Sequence, residues 1–295
     1  MADRLKGCGT ALVTPFTKDG AVDESALRKL VDWQIAEGIH FLVPCGSTGE
    51  AATMTPAEHR RVVEITVDQA KGRVPIAAGA GSNDTAKAVA MSKEMKAAGA
   101  THLLHVSPMY NKPPQRGIIA HFERIADATD LPIIVYNVPG RTGSNIEAKT
   151  TLALARVKHI VAVKEASGNL GQITDVLRER PEHFSVLSGD DELTLAVMSA
   201  GGDGVISVVS NATPKLMAKL CEAAACNDFA AARTLHLQLL PWMRAAFVES
   251  NPLPVKAAMA MLGKMENRLR LPLVPLADAH AETVRSALRT AGALA

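Results

Sequence analysis

The chain has 295 residues, of which 47% are hydrophobic and 21% charged, the balance of an ordinary globular protein and enough for one large α/β barrel or two small domains. A net charge of +2 with scattered positive residues argues against nucleic acid or an anionic membrane as the main partner. No stretch approaches the roughly 18 apolar residues of a membrane span, and the polar start from Met1 to Gly7 has no secretory character, so a cytoplasmic location is expected.

Short apolar, β-branched runs predict strands at Thr10–Thr14, Phe41–Cys45, Pro75–Ala78, His102–Val106, Ile133–Tyr136, Val161–Lys164, Ser185–Leu187 and Val205–Val208. The stretches between them predict helices over Asp23–Ala36, Ala57–Ala70, Thr85–Ala97, Gly117–Ala128, Leu170–Arg180, Glu192–Ser199 and Pro214–Ala224. The signal is apolar residues three and four apart, as at Leu27, Leu30 and Val31. Thr55, followed by Pro56 and Glu58, has the form of a capping box with proline at the first helical position. Gly38, Gly99 and Gly201 follow helical patterns as cap glycines do. Strand–helix alternation over residues 1–226 predicts an α/β fold, a parallel (β/α)8 TIM barrel. A doubly wound open sheet is the rival, but the cluster Gly79-Ala80-Gly81-Ser82-Asn83-Asp84 lacks the third glycine of a dinucleotide fingerprint. Residues 227–295 predict three further helices, Asp228–Val248, Pro254–Leu262 and Asp278–Ala291, a C-terminal extension packed on the barrel or on a neighbouring subunit.

Cys8, Cys45, Cys221 and Cys226 have no C-x-x-C spacing, so buried free thiols are expected rather than a disulfide scaffold. The nine histidines show no H-E-x-x-H or other ligand spacing, and no metal site is expected.

In such barrels chemistry sits at the carboxyl ends of the strands. Here those ends carry Thr14, Gly46-Ser47-Thr48-Gly49-Glu50, Ser107, Tyr110, Tyr136-Asn137, Lys164-Glu165, Gly189-Asp190-Asp191 and Ser207. In Val161-Ala162-Val163-Lys164, strand alternation puts the two valines on one face and Ala162 with Lys164 on the other, which turns Lys164 into the barrel. Lysine is rarely buried without cause, and desolvation lowers its pKa towards a neutral, nucleophilic amine. The alternative is a buried ion pair with Asp or Glu, which is costly to desolvate. Both tyrosines of the chain, Tyr110 and Tyr136, fall at the same rim, where either a proton relay or plain packing accounts for them. In the 46–50 loop, Ser47 and Thr48 offer hydroxyl and backbone donors to an anion; an ordinary βα turn is the other reading. Arg141 is either a carboxylate clamp or a solvated loop residue. A metal-dependent barrel lacks the carboxylates and histidines it needs, and no G-x-S-x-G nucleophile elbow is present. A non-catalytic binding barrel would leave the inward lysine unexplained.

Gly46-Ser47-Thr48-Gly49-Glu50, Tyr136-Asn137-Val138-Pro139-Gly140-Arg141-Thr142-Gly143, Val163-Lys164-Glu165-Ala166-Ser167-Gly168-Asn169 and Leu187-Ser188-Gly189-Asp190-Asp191 carry a resemblance that runs from Gly7 to about Leu294. Through them the chain resembles the dihydrodipicolinate synthase family, within the wider superfamily of N-acetylneuraminate lyase and class I pyruvate aldolases. The resemblance implies a Schiff-base carbon–oxygen lyase that condenses pyruvate with L-aspartate 4-semialdehyde, giving 4-hydroxy-tetrahydrodipicolinate in lysine and diaminopimelate biosynthesis. It implies that Lys164 forms the imine, that Ser47 and Thr48 hold the pyruvate carboxylate, and that Tyr136 moves protons. Tyr136 would be linked through Ser47 to a Tyr110 supplied by a neighbouring subunit. Arg141, absent from the neuraminate lyases, would grip the semialdehyde carboxylate, and Gly189 with the Ile206 carbonyl would complete the pocket. The resemblance implies no metal and no organic cofactor, and a homotetramer, a dimer of dimers; charge and hydropathy already argue against a nucleic-acid or membrane partner. Relatives with the same lysine act on 4-hydroxy-2-oxoglutarate, 2-keto-3-deoxy sugar acids or N-acetylneuraminate, so the aldehyde partner stays open, as does a catalytically silent barrel.

Two departures stand out. Ser47 replaces a common threonine and keeps its hydroxyl, and Met109 precedes Tyr110 where many members have a second tyrosine. In lysine-inhibited relatives that tyrosine, a glutamate and histidine-rich helix positions bind lysine. Here His59 and Asn83 match, while Lys87 replaces the glutamate and Pro56 a histidine. An ammonium at Lys87 repels that of the ligand, so weak or absent lysine feedback is expected.

Overall fold

In the computed structural model, which describes residues 4–294, the β-branched runs form eight parallel strands. They are β1 (Gly7–Ala11), β2 (Phe41–Val43), β3 (Ala77–Gly79), β4 (His102–Val106), β5 (Ile133–Asn137), β6 (Ile160–Glu165), β7 (Ser185–Ser188) and β8 (Gly204–Ser207). Residues 1–3 and 295, the ends of the expected barrel and extension segments, lie outside the described residues. Hydrogen-bonded neighbours run β2-β1-β8-β7-β6-β5-β4-β3. Pairing of Leu42 with Ile76 brings β2 back towards β3, and the Gly79 N–H donates to the Pro44 carbonyl at 2.9 Å. The sheet therefore closes on itself as a (β/α)8 barrel.

Around it lie α1 (Glu24–Ala36), α2 (Pro56–Ala70), α3 (Thr85–Ala97), α4 (Gln115–Ala126), α5 (Pro139–Thr142), α6 (Ala148–Leu154), α7 (Leu170–Glu179), α8 (Thr194–Ser199) and α9 (Pro214–Ala225). The start of α2 is the expected capping box: the Thr55 hydroxyl accepts from the Glu58 N–H at 3.2 Å, and the Thr55 N–H donates to the Glu58 carboxylate at 2.9 Å. The short helices α5 and α6 are additions to the pattern expected from the sequence.

Inward side chains such as Phe41, Val43, Leu104, Ile134, Ala162 and Leu187 fill the barrel, while Val135, Val163, Val186 and Val205 face the helices. The β5–β6 register slips between Ile133 and Ile134, so Val161 is an extra residue on β6. It packs with the inner cluster instead of sharing the outward face of Val163, because a bulge breaks the two-residue alternation. Above the bulge the alternation holds, with Ala162 inward and Val163 outward.

Three more helices, α10 (Phe229–Ala245), α11 (Leu253–Met261) and α12 (Asp278–Thr290), follow. They pack on the barrel. Fully buried Trp242 donates its indole N–H to the Val209 carbonyl at 3.2 Å, and Lys256 and Arg270 reach Glu50 and Glu58, each at 2.5 Å. Cys8, Cys45 and Cys221 are buried free thiols, but Cys226 is exposed, since it caps α9 beyond its buried face. No helix among the described residues is long and apolar enough to cross a membrane.

Candidate active site

The carboxyl ends of the strands surround a cavity of about 1040 Å³ lined by Ser47, Thr48, Tyr136, Arg141, Lys164 and Gly189, among others. Strand pairing sets Tyr136 on β5 beside Lys164 on β6, and the Lys164 ammonium nitrogen lies 4.2 Å from the Tyr136 ring centroid. Lys164 is 5% exposed and makes no ion pair or side-chain hydrogen bond among the described residues. Burial pulls its pKa down to about 8; the Asp191 carboxylate opposes that fall and the Arg141 guanidinium adds to it. At pH 7 such an amine is neutral in roughly one molecule in ten, against fewer than about one in a thousand for an ordinary lysine.

A second buried lysine gives the contrast. Lys256 donates to Glu50 Oε1 at 2.5 Å and to the Thr14 carbonyl at 2.9 Å, and lies 4.4 Å from the Phe16 ring centroid. Burial pulls its pKa to about 8 as well. The ion-pair alternative considered for Lys164 is thus realised at Lys256. Of these two, it is Lys164 whose amine has no ion pair or side-chain hydrogen bond among the described residues and that lines the cavity.

The rest of the wall shapes that amine. A Cβ on Gly189 would lie 2.8 Å from Ala166 Cβ, 3.0 Å from Lys164 Cγ and 3.1 Å from Lys164 Cε, so glycine leaves room for the lysine stem. Burial pushes the Tyr136 phenol up to about 12, with Arg141 opposing and Asp190 adding; the phenol stays protonated and able to donate. Asp191 is buried and accepts the Val208 and Val209 N–H groups at 2.9 and 3.2 Å, which fixes the chain just beyond Ile206 and Ser207. Burial raises its carboxyl to about 6, against the pull of its hydrogen bonds to Ser207, Val208 and Val209.

In the loop after β2, Ser47–Gly49 forms a single 3₁₀ turn, held from below by the Thr14 hydroxyl donating to the Gly49 carbonyl at 2.8 Å. Thr48 is buried, and its hydroxyl accepts from Asn251 Nδ2 at 2.9 Å. Arg141 Nη2 donates to the Asn251 carbonyl at 3.2 Å. The cavity therefore offers an amine that gives up its proton far more readily than an ordinary lysine, a protonated phenol, hydroxyl donors and a guanidinium. Such a set suits a carbonyl compound that bears a carboxylate.

The model of the Dihydrodipicolinate synthetase family matches residues 4–291. The chain belongs to that family. A relative from Koribacter versatilis named 4-hydroxy-tetrahydrodipicolinate synthase is 52% identical over 292 residues, 99% of this chain and 97% of that protein. The chloride-inhibited dihydrodipicolinate synthase of Acinetobacter baumannii, solved in complex with pyruvate, superposes with a TM-score of 0.96 at 41% identity, covering 98% of this chain and 99% of that one. The Cyanidioschyzon merolae enzyme with lysine bound gives 0.95 at 39% identity, over 98% and 99% of the two chains.

Within this dihydrodipicolinate synthetase family member, most of the residues expected from the sequence converge. Lys164, Tyr136, Thr48, Ser47, Arg141 and Gly189 share the cavity, with Ser47 exposed at its mouth. Ile206 is fully buried on β8, in the inner cluster that includes Tyr136. Tyr110 is 89% exposed and, like Ile206, is not among the residues that line the cavity. Its backbone sits at φ 71°, with its N–H on the Thr142 carbonyl at 3.1 Å. Of the expected inhibitor-site positions, the His59 ring pairs with the Gly79 carbonyl at 2.8 Å and Asn83 donates to the Met109 carbonyl at 3.1 Å, while Lys87 is exposed on the first turn of α3. Asn251 is the site residue that local pattern misses. A polar run, Glu249-Ser250-Asn251, before Pro252 reads only as a loop between helices.

Proposed function

We propose that this chain is a 4-hydroxy-tetrahydrodipicolinate synthase, a Schiff-base-forming lyase that joins pyruvate to L-aspartate 4-semialdehyde in lysine and diaminopimelate biosynthesis. The observation that carries the reading is Lys164: buried, unpaired, depressed to about 8 and facing the cavity.

The neutral Lys164 amine adds to the pyruvate ketone, and loss of water leaves a protonated imine. The cationic nitrogen acidifies the adjacent methyl group; a proton leaves and the C–H electrons flow to nitrogen, giving an enamine. Its terminal carbon adds to the aldehyde carbon, whose oxygen takes a proton. The amine of the semialdehyde then attacks the imine carbon, closes the ring and expels the Lys164 nitrogen. The imine is its own electron sink, so the sequence as written calls on no metal or organic cofactor.

Tyr136, protonated and packed against the lysine nitrogen, is suited to carry these protons. Ser47 and Thr48 are the donors for the pyruvate carboxylate, and Arg141 is the fork for the carboxylate of the aldehyde. Gly189 and the Ile206 carbonyl border the reacting carbon. An exposed tyrosine held at positive φ is a conformation a bulky residue seldom adopts without a structural reason. That supports Tyr110 serving a neighbouring subunit, completing the relay through Ser47 in a homotetramer in the cytoplasm. Residues 1–226 are the catalytic barrel in this reading, and 227–295 its extension.

The test is borohydride reduction in the presence of pyruvate, with peptide mass mapping. A reduced three-carbon adduct on Lys164, absent from Lys164→Met, is expected, followed by cyclic product once aspartate semialdehyde is supplied. Folded protein that yields no adduct would remove the proposal. An adduct without turnover of that aldehyde would reassign the acceptor.

A further inference from the structure

Asn251, on the segment between α10 and α11, reaches the cavity from the C-terminal extension. Its side chain is buried at 6% exposure, and its Nδ2 donates to the Thr48 hydroxyl, 203 residues away in sequence, at 2.9 Å. A hydroxyl has one proton to give and two positions at which to accept. By accepting from Asn251, the Thr48 oxygen keeps its proton free to turn towards an anion in the cavity. With the opposite polarity an acceptor would face the hydroxyl, and that proton would be consumed inside the protein.

Two further observations favour a role in binding over one in stability. Asn251 Oδ1 is buried without a hydrogen-bond partner among the described residues, which weakens the fold rather than strengthening it. The backbone around the residue is pinned on both sides. Its carbonyl accepts from Arg141 at 3.2 Å, and Lys256 on α11 is tied to Glu50, two residues beyond Thr48, at 2.5 Å. The amide thus meets the Thr48 oxygen from a fixed direction.

We infer that Asn251 is a positioning residue for the first substrate: it sets the polarity of the Thr48 hydroxyl so that this hydroxyl donates to the carboxylate of the bound 2-keto acid. The inference rests on the role proposed above for Thr48.

The experiment uses the full chain and five forms: parent, Thr48→Val, Asn251→Ala, Asn251→Asp and the double variant Thr48→Val with Asn251→Ala. KM is measured separately for pyruvate and for the acceptor aldehyde, alongside kcat and the melting temperature. Loss of one hydrogen bond to substrate predicts that Thr48→Val and Asn251→Ala each raise the pyruvate KM about fivefold to tenfold. The acceptor KM should stay within about twofold, because Asn251→Ala keeps the backbone carbonyl on Arg141. In the Thr48→Val background, Asn251→Ala should add nothing to the pyruvate KM. Asn251→Asp, nearly isosteric, should raise it more than alanine does, since its carboxylate captures the Thr48 proton and repels the substrate. That variant decides the matter if alanine impairs folding. A parental pyruvate KM in Asn251→Ala or Asn251→Asp, with Thr48→Val impaired, overturns the inference and leaves the loop assignment standing. A parental KM in Thr48→Val overturns the loop assignment, and the inference with it. Parallel loss for both substrates together with a lowered melting temperature identifies a purely structural residue and also overturns it.

Discussion

Replacing Gly189 by alanine puts one methyl group where the Lys164 side chain now runs. Built on the present backbone, that carbon lies 2.8 Å from Ala166 Cβ, 3.0 Å from Lys164 Cγ and 3.1 Å from Lys164 Cε. Carbon atoms rest at about 3.5–4.0 Å, so every one of these contacts is short by roughly half an ångström or more. Ala166 is anchored through its N–H to the Asn137 carbonyl at 2.9 Å, whereas the lysine stem turns about single bonds and is the part that yields. Gly189 is not among the glycines at positive φ, so backbone strain does not complicate the substitution. Moving the amine by about 1 Å is worth on the order of a hundredfold in rate, while the overpacking itself costs about 1–3 kcal/mol of stability. The time course of borohydride-trapped adduct with pyruvate should slow about a hundredfold, and the melting temperature should fall by a few degrees. A variant that forms the imine at the parental rate, whatever its melting temperature, would refute the claim that Gly189 keeps space for the lysine.

Other expectations follow from the charges buried elsewhere. His105 is buried on β4, with Nε2 3.2 Å from the Ser92 hydroxyl, and burial, with His121 adding, pulls its pKa to about 3. The unfolded chain takes that proton near pH 6.5, so stability is full above that value. It falls as pH drops from about 6.5 towards 3, by at most about 1.4 kcal/mol per unit. Urea midpoints between pH 7 and pH 5 should therefore decline less in His105→Gln than in the parent, and equal slopes would contradict the assignment. Lys256→Met strands the Glu50 carboxylate and should cost about 3–5 kcal/mol in urea unfolding, part of it recovered by adding Glu50→Gln; a loss below about 1 kcal/mol would count against a tight buried pair. With Lys87 exposed on α3, sub-millimolar lysine should leave the initial rate unchanged, and inhibition in that range would sink the charge-repulsion argument.

The barrel and its buried, cavity-facing lysine are written locally, which is why they are legible in the chain. Alternation, helix periodicity and the Thr55 cap each act over a few residues. The expected first strand, Thr10–Thr14, lies three residues beyond the observed Gly7–Ala11. Gly7-Cys8-Gly9 looks too glycine-rich for a strand, yet a Cβ on Gly9 would sit 2.0 Å from the Phe41 ring, so crowding inside the barrel demands the glycine. Helix α6 is hard to read because its Thr150-Thr151 pair is β-branched and weakly helical; burial of Thr150, Thr151 and Leu154 decides it instead. The Val161 bulge escapes because it is a property of two paired strands. Asn251 and the Lys256–Glu50 pair join residues about two hundred positions apart, and no window of sequence holds both partners.

Those long-range ties bear on the order in which the molecule comes into being. Domains emerge from the ribosome amino end first, so all eight strands, the last ending at Ser207, emerge before Asn251, Lys256 and Arg270 do. At that moment Thr48 and Glu50 are on the surface without their partners, and a barrel already closed in outline has an unfinished anion pocket. Full-strength binding of the keto acid thus waits for the segment that carries Asn251, Lys256 and Arg270, so the stretch after the eighth strand finishes a pocket that the barrel alone leaves open.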